Sequence, residues 1–148
     1  GTEAVYIDKV ESTVSSIRMV SRVGSRIPLY CSGVGKALLA ELPDPEIEDI
    51  WNSSEITSLT PYTVTSLSDL MDRIRAVREA GFAMDDEENE EGVRCIAVSI
   101  PDYHKEPVYA LSISAPVSRM TDARIAELSA DVLTFKKDLE KTLGFSRS

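Results

Sequence analysis

Hydrophobic positions along this chain alternate at the start, recur every three or four residues through the middle, alternate again, and close on a long helical stripe. Residues 3 to 10 (Glu-Ala-Val-Tyr-Ile-Asp-Lys-Val) and 15 to 23, where Ile17 and Met19 alternate with Ser16 and Arg18, predict two strands paired as a hairpin across a Glu-Ser-Thr turn. The pattern breaks at Gly24 to Pro28. Ser32-Gly33-Val34-Gly35-Lys36-Ala37 then reads as a loop feeding a helix over 33 to 41, with Ser32 as N-cap. Asp44 to Asn52 predicts a second short helix with Ile47, Ile50 and Trp51 on one face, Trp51 packing into the core. Residues 53 to 64 are a Ser- and Thr-rich loop with Pro61. Ser66 and Asp69 have the spacing of a capping box, and Leu67, Leu70, Met71, Ile74 and Val77 recur at helical steps until Gly81 supplies the stop.

Phe82 to Asp85 enters a short strand, Asp86 to Glu91 is an acidic loop, and Val93 to Ile100 is a longer strand. Residues 101 to 107 form a turn that returns the chain into a strand over Val108 to Ala115, which predicts an antiparallel hairpin. Thr121 caps a final helix with Ile125, Leu128, Val132, Phe135, Leu139 and Leu143 on one stripe, ending at Gly144. That order (strand pair, three helices, three strands, helix) is an α+β fold with an antiparallel sheet. At 148 residues it makes one domain, residues 1 to 148.

Alternation also sorts the strand faces. Cys95, Ala97 and Ser99 share one face with Ala110, Ser112 and Ser114, while Ile96, Val98 and Ile100 share the other with Tyr109, Leu111 and Ile113. The bulky face is expected to pack as core. The small one carries hydroxyls that need partners and fits the wall of a pocket for a compact polar ligand. The competing reading lays a helix closely over those small residues. Asp85, beside this face, is a candidate acceptor for ligand hydroxyls, whereas Asp86 to Glu91 reads as solvated. The first N–H groups of the helix after Ser32 have no partner within it, so a carboxylate can be held at Gly33 and Val34.

Charge and composition narrow the class. Sixteen basic against 25 acidic residues leave a net charge of −9, which argues against direct contact with a nucleic-acid backbone. No apolar run reaches the length of a membrane span, and no signal peptide opens the chain, so a cytoplasmic domain with no membrane contact is expected. The opening Gly1-Thr2-Glu3 lacks an initiator Met and runs straight into strand-like sequence, as a domain excised from a longer chain does.

Catalytic groups are sparse. Gly33-Val34-Gly35-Lys36 lacks the spacing and the following hydroxyl of a phosphate loop. The single histidine, His104, falls in a turn and leaves Ser32, Cys31 and Cys95 without a base, and two isolated cysteines do not make a zinc site. No catalytic residue, metal or cofactor is expected. Two alternatives remain open here: a thiol enzyme using Cys31 or Cys95, and a pure oligomerisation module.

The motifs Leu29-Tyr-Cys-Ser-Gly-Val-Gly-Lys-Ala-Leu-Leu-Ala40, Ala80-Gly81-Phe82, Met84-Asp-Asp-Glu-Glu88, Gly92-Val-Arg-Cys-Ile-Ala97 and Ala110-Leu-Ser-Ile-Ser-Ala-Pro116, with a terminal helix closing at Leu143-Gly144, occur in an order that resembles the effector-binding domain of IclR-family bacterial transcription factors. The resemblance implies a GAF-like curved antiparallel sheet flanked by helices. It implies a small carboxylate effector held by the N–H groups of Gly33 and Val34 and by Asp85, Cys95, Ser112 and Ser114. It also implies a homodimer or homotetramer, and DNA binding only through an N-terminal winged helix-turn-helix domain that this chain lacks. Val34 stands where the family often has a smaller residue. The opening Tyr6-Ile-Asp-Lys-Val-Glu11 and Ser16-Ile-Arg-Met19 look most like regulators of sugar-acid and keto-acid catabolism.

Overall fold

Helices on both sides of a small antiparallel sheet make up the structure, a computed structural model that describes residues 3–5, 26–100 and 109–142. The elements run β1 (Glu3–Val5), β2 (Arg26–Pro28), α1 (Gly33–Leu39), α2 (Asp44–Ser53), α3 (Leu67–Ala80), β3 (Ala83–Asp86), β4 (Val93–Ile100), β5 (Tyr109–Pro116) and α4 (Asp122–Thr142). This is the expected α+β order. β3, β4 and β5 form one antiparallel sheet in sequence order, and β1 pairs antiparallel with β2.

Local signals account for most element ends. Ser66 Oγ accepts from Asp69 N at 3.2 Å and starts α3, and Gly81, at φ +85°, ends it in the left-handed region. Thr121 Oγ1 accepts from Arg124 N at 3.2 Å and caps α4. One strand at the start of the chain was not expected. Glu3 to Val5 pairs with Arg26 to Pro28, inside the stretch read as a break, with Ala4 opposite Ile27. Gly24 and Pro28 drew that reading, yet Pro28 stands at the end of the strand, where a missing N–H is tolerated. The predicted strand over 15 to 23, the turn at 101 to 107 with His104, and the helix end at Leu143 and Gly144 lie outside the described residues.

Three apolar clusters separate the layers. Leu29, Tyr30, Leu39, Ile47, Leu70 and Ile74 join α1, α2 and α3, with Trp51 edge-on to Tyr30 at 5.8 Å between ring centroids. Val34, Ala37, Val77, Ala83 and Ala97 bind α1 and α3 to the small face of the sheet. Ile96, Val98, Met120, Ile125 and Val132 hold α4 to the bulky face. That face is only partly core. Tyr109 and Leu111 of β5 are 50% and 37% exposed, and Phe135 of the predicted stripe is 51% exposed. A helix about 10 Å wide spans about two strands spaced about 4.8 Å apart, so α4 cannot cover all three. Its inward residues are Ile125, Ser129 and Val132, which leaves Phe135 turned outward.

Candidate functional site

The turn into α1 is built by one serine and two glycines. Ser32 Oγ donates to Pro28 O at 2.6 Å and accepts from Gly35 N at 3.0 Å. The helical ladder then begins with Lys36 N to Ser32 O at 3.0 Å, so the N–H groups of Gly33 and Val34 precede it. A Cβ on Gly35 would stand 2.3 Å from Leu29 O and 2.4 Å from Leu29 Cα, which excludes any side chain there. A Cβ on Gly33 would meet Ala97 Cβ at 3.4 Å and Asp85 Cβ at 3.7 Å, so the first turn of the helix rests directly on β3 and β4.

Strand register brings the predicted residues together beneath that turn. Asp85 pairs with Cys95, and Cys95 with Ser114, making a row across the three strands. The next row on the same face is Ala83, Ala97 and Ser112. Gly33 lies over Ala97 and Asp85, so Gly33, Asp85, Cys95, Ser112 and Ser114 belong to one neighbourhood. Val34 is there too, with its side chain committed to the apolar seam with Ala37, Val77, Ala83 and Ala97. The two readings of the small face therefore divide it. Ala83 and Ala97 are fully buried among α1 and α3 side chains, while Cys95, Ser112 and Ser114 stay half-buried.

Asp85 is 3% exposed. Its Oδ1 accepts from Glu88 N at 2.8 Å and Asn89 N at 3.3 Å, and its Oδ2 accepts from the Cys95 thiol at 3.6 Å. Burial pushes its pKa up to about 6, against the lowering effect of the backbone hydrogen bond and of the Lys36 charge. Cys31 and Cys95 are pushed up to about 12, first by burial and then by the Asp85 charge. A buried thiol with a raised pKa is protonated at neutral pH and a poor nucleophile, which weighs against a thiol enzyme.

Two charged residues of this site were not singled out in the sequence. Lys36 and Glu88 form a buried ion pair, 1% and 0% exposed, and Lys36 Nζ also donates to Met84 O. Glu88 therefore departs from the solvated reading of residues 86 to 91. Thr63 Oγ1 donates to Glu88 O and Thr60 Oγ1 to Glu87 O, each at 2.6 Å, so hydroxyls from the preceding loop tie down the turn that Asp85 hooks. Helical spacing carried a signal for Lys36: three residues after Gly33, it shares the face directed at the sheet. No local signal marks Glu88 within an acidic run, because its burial depends on a lysine 52 positions earlier.

A cavity of about 280 Å³ lies at the other end of α1, lined by Ala40, Glu41, Arg78, Phe82, Ser99 and Lys136 among others. It shares Ala97 with the site above but none of the predicted ligand residues. Arg78 on its wall serves structure, donating to Ala40 O, Leu42 O and Asp44 Oδ1 at 2.8 to 3.0 Å.

The domain is α+β, with the first turn of α1 laid over small, hydroxyl-bearing strand positions and two buried thiols close by. Residues 1–140 match the family model of the bacterial transcriptional regulator IclR C-terminal domain, and the chain belongs to that family. The HTH-type transcriptional regulator XynR of Escherichia coli is 37% identical over 145 residues, covering 98% of this chain and 57% of that protein. The chain thus spans a little over half the length of this curated relative. The crystal structure of the Thermotoga maritima IclR superposes with a TM-score of 0.88 at 39% identity, over 98% of this chain and 58% of that one. The inducer-binding domain of a PobR double mutant from Acinetobacter, in complex with 3-hydroxybenzoic acid, superposes with a TM-score of 0.75 at 25% identity, over 96% of this chain and 81% of that one. Among the described residues no helix is long and apolar enough to cross a membrane.

Proposed function

We propose that this domain is the effector sensor of a cytoplasmic DNA-binding regulator and takes a small carboxylate metabolite, of the sugar-acid or keto-acid class, at the N-terminal end of α1. The observation that carries this reading is the in-register row Asp85, Cys95, Ser114 lying under Gly33, with Ser112 in the adjoining row. The ligand carboxylate rests on the N–H groups of Gly33 and Val34, and Asp85, Cys95, Ser112 and Ser114 hold its remaining oxygens. No side chain here is a catalyst, and no metal or cofactor takes part. The similarity to an inducer-binding domain that holds an aromatic acid supports the acid class.

In the complete protein, a winged helix-turn-helix domain outside residues 1 to 148 contacts the operator, and the effector acts by its different affinity for two arrangements of a homodimer or homotetramer. The outward-facing Phe135 on α4 favours that helix as a contact surface. The test is a melting series with gluconate, pyruvate, succinate and 3-hydroxybenzoate, repeated with Ser112→Ala and Ser114→Ala. At a hundred times its dissociation constant an effector adds about 2.7 kcal/mol, which raises the midpoint by roughly 5 to 10 °C for a domain of this size. A shift that both variants lose supports the site. Shifts that survive in both variants place the ligand elsewhere.

A further inference from the structure

The cavity of about 280 Å³ at the far end of α1 lies between the C-terminal ends of α1 and α3, the last residues of β4 and Lys136 of α4. Packed interiors leave few voids larger than a water molecule, and a cavity of about 150 Å³ holds a benzene ring, so this one has room for a six-membered ring with a substituent. Its floor is apolar. Ala37 and Ala97 are 3% and 0% exposed and stand beside Ala40, Val77 and Phe82, and three side chains that end at Cβ leave the space that longer ones would fill. One spot on the wall is polar. Ser99 Oγ donates to Glu41 Oε1 at 2.9 Å and accepts from Lys136 Nζ at 3.2 Å, so a carboxylate acceptor and an ammonium donor stand on either side of one hydroxyl. The charged groups here already have opposite partners. Lys136 Nζ lies 3.9 Å from Glu41 Oε1 and 4.0 Å from Glu140 Oε1, and Arg78 is committed to Ala40 O, Leu42 O and Asp44 Oδ1. A carboxylate head only accepts hydrogen bonds and an ammonium head only donates them, whereas a hydroxyl does both.

We propose that this cavity is a second ligand site of the domain, for a small uncharged molecule with an apolar, ring-sized body and one hydroxyl, the body lying on Ala37, Ala97 and Phe82 and the hydroxyl on Glu41, Ser99 and Lys136. The ligand hydroxyl adds one link to the chain of Glu41, Ser99 and Lys136, donating on its carboxylate side and accepting on its ammonium side, and it leaves the charges of the wall paired. Hydrogen bonds to charged groups are the stronger kind, so this head group fixes the orientation of a ligand whose body is held by apolar contact alone. A carboxylate or ammonium on the same ring brings in a charge that the wall neutralises only by breaking a pair it already has. Arg78 reaches the rim with its side chain 35% exposed, which puts that edge of the cavity at the surface. The cavity shares no ligand residue with the acid site proposed above, so each can fail without the other.

Cyclohexanol, cyclohexylamine and cyclohexanecarboxylate carry one ring with a neutral, a cationic and an anionic head at neutral pH. Titration of the isotope-labelled 148-residue chain with each, followed by backbone amide shifts in NMR spectra, tests the site. Cyclohexanol should give saturable shifts clustered at Ala40, Gly81, Val98 and Ser99, and the two charged analogues should bind there at least about tenfold more weakly. Ala40→Leu keeps a good helix former and fills the cavity, and should abolish these shifts. Ser99→Ala removes the hydroxyl between the two charges and should weaken cyclohexanol about three- to tenfold with the same pattern of shifts. Cyclohexanol shifts that do not saturate, that cluster at Gly33 and Ser112 instead, or that persist in Ala40→Leu overturn the proposal. So does either charged analogue binding at Ser99 as tightly as cyclohexanol. An unchanged affinity in Ser99→Ala also overturns it, a readout that holds even where Ala40→Leu fails to fold. None of these outcomes touches the acid site, whose residues lie at the other end of α1.

Discussion

At Asp85 three weak forces meet on one carboxyl group: burial, which disfavours its charge, and hydrogen bonds and the Lys36 ammonium, which favour it. Burial wins, so the folded-state midpoint of about 6 lies above the unfolded value near 3.9, and folding takes up a proton between them. The fold is then more stable below this window and loses that stability as pH rises from about 4 through about 6. Asp85→Asn is free of this term. Urea unfolding should show the variant gaining on wild type by about 1 to 2 kcal/mol between pH 5 and pH 7. A constant difference across that range would mean that Asp85 titrates normally. Gly35 acts at the same scale through space alone, since Leu29 occupies the position a side chain would need.

At the scale of elements, the ion pair of Lys36 with Glu88 joins α1 to the turn after β3, and Thr60 and Thr63 fasten that turn from the other side. Both halves of the proposed ligand site, the N–H groups on α1 and Asp85 on β3, are held in register by this clamp. Lys36→Met leaves a buried carboxylate uncompensated and should cost about 3 to 5 kcal/mol, whereas Lys36→Met combined with Glu88→Gln removes both charges and should recover most of that loss. Denaturant midpoints of the two variants decide this: equal losses would mean that the pair contributes little to holding α1 on the turn.

For the whole molecule, the layers explain what is covered and what is left open. α1 lies on the small face of the sheet and α4 on part of the bulky face, while Tyr109, Leu111 and Phe135 remain outward. Val132, 5% exposed against Ile96, Val98 and Met120, and Phe135, 51% exposed, belong to the same predicted stripe but to different environments. Truncation of Val132 to Ala should cost roughly 1 to 3 kcal/mol, and Phe135→Ala less than about 0.5 kcal/mol in the monomeric domain. Comparable losses in thermal unfolding would show that the packing of α4 has been assigned to the wrong side.

Much of this protein was legible without coordinates. Caps at Ser32, Ser66 and Thr121, the stop at Gly81 and the two-residue alternation of β4 and β5 are local properties, and each is written in a few consecutive side chains. They were enough for the α+β order, and alternation alone assembled Cys95, Ser112 and Ser114 on one face, while Asp85 and the turn at Gly33 were added from position and motif. Other features depended on partners far apart in the chain. Which strand meets Glu3 to Val5, how much of β5 one helix can roof, and the burial of Glu88 against Lys36 are set by tertiary packing. Local sequence determines what a segment prefers and which way its side chains alternate. Only the folded structure decides how many neighbours share the space around them, and therefore which charges are buried, which thiols are silent and which apolar residues stay in water.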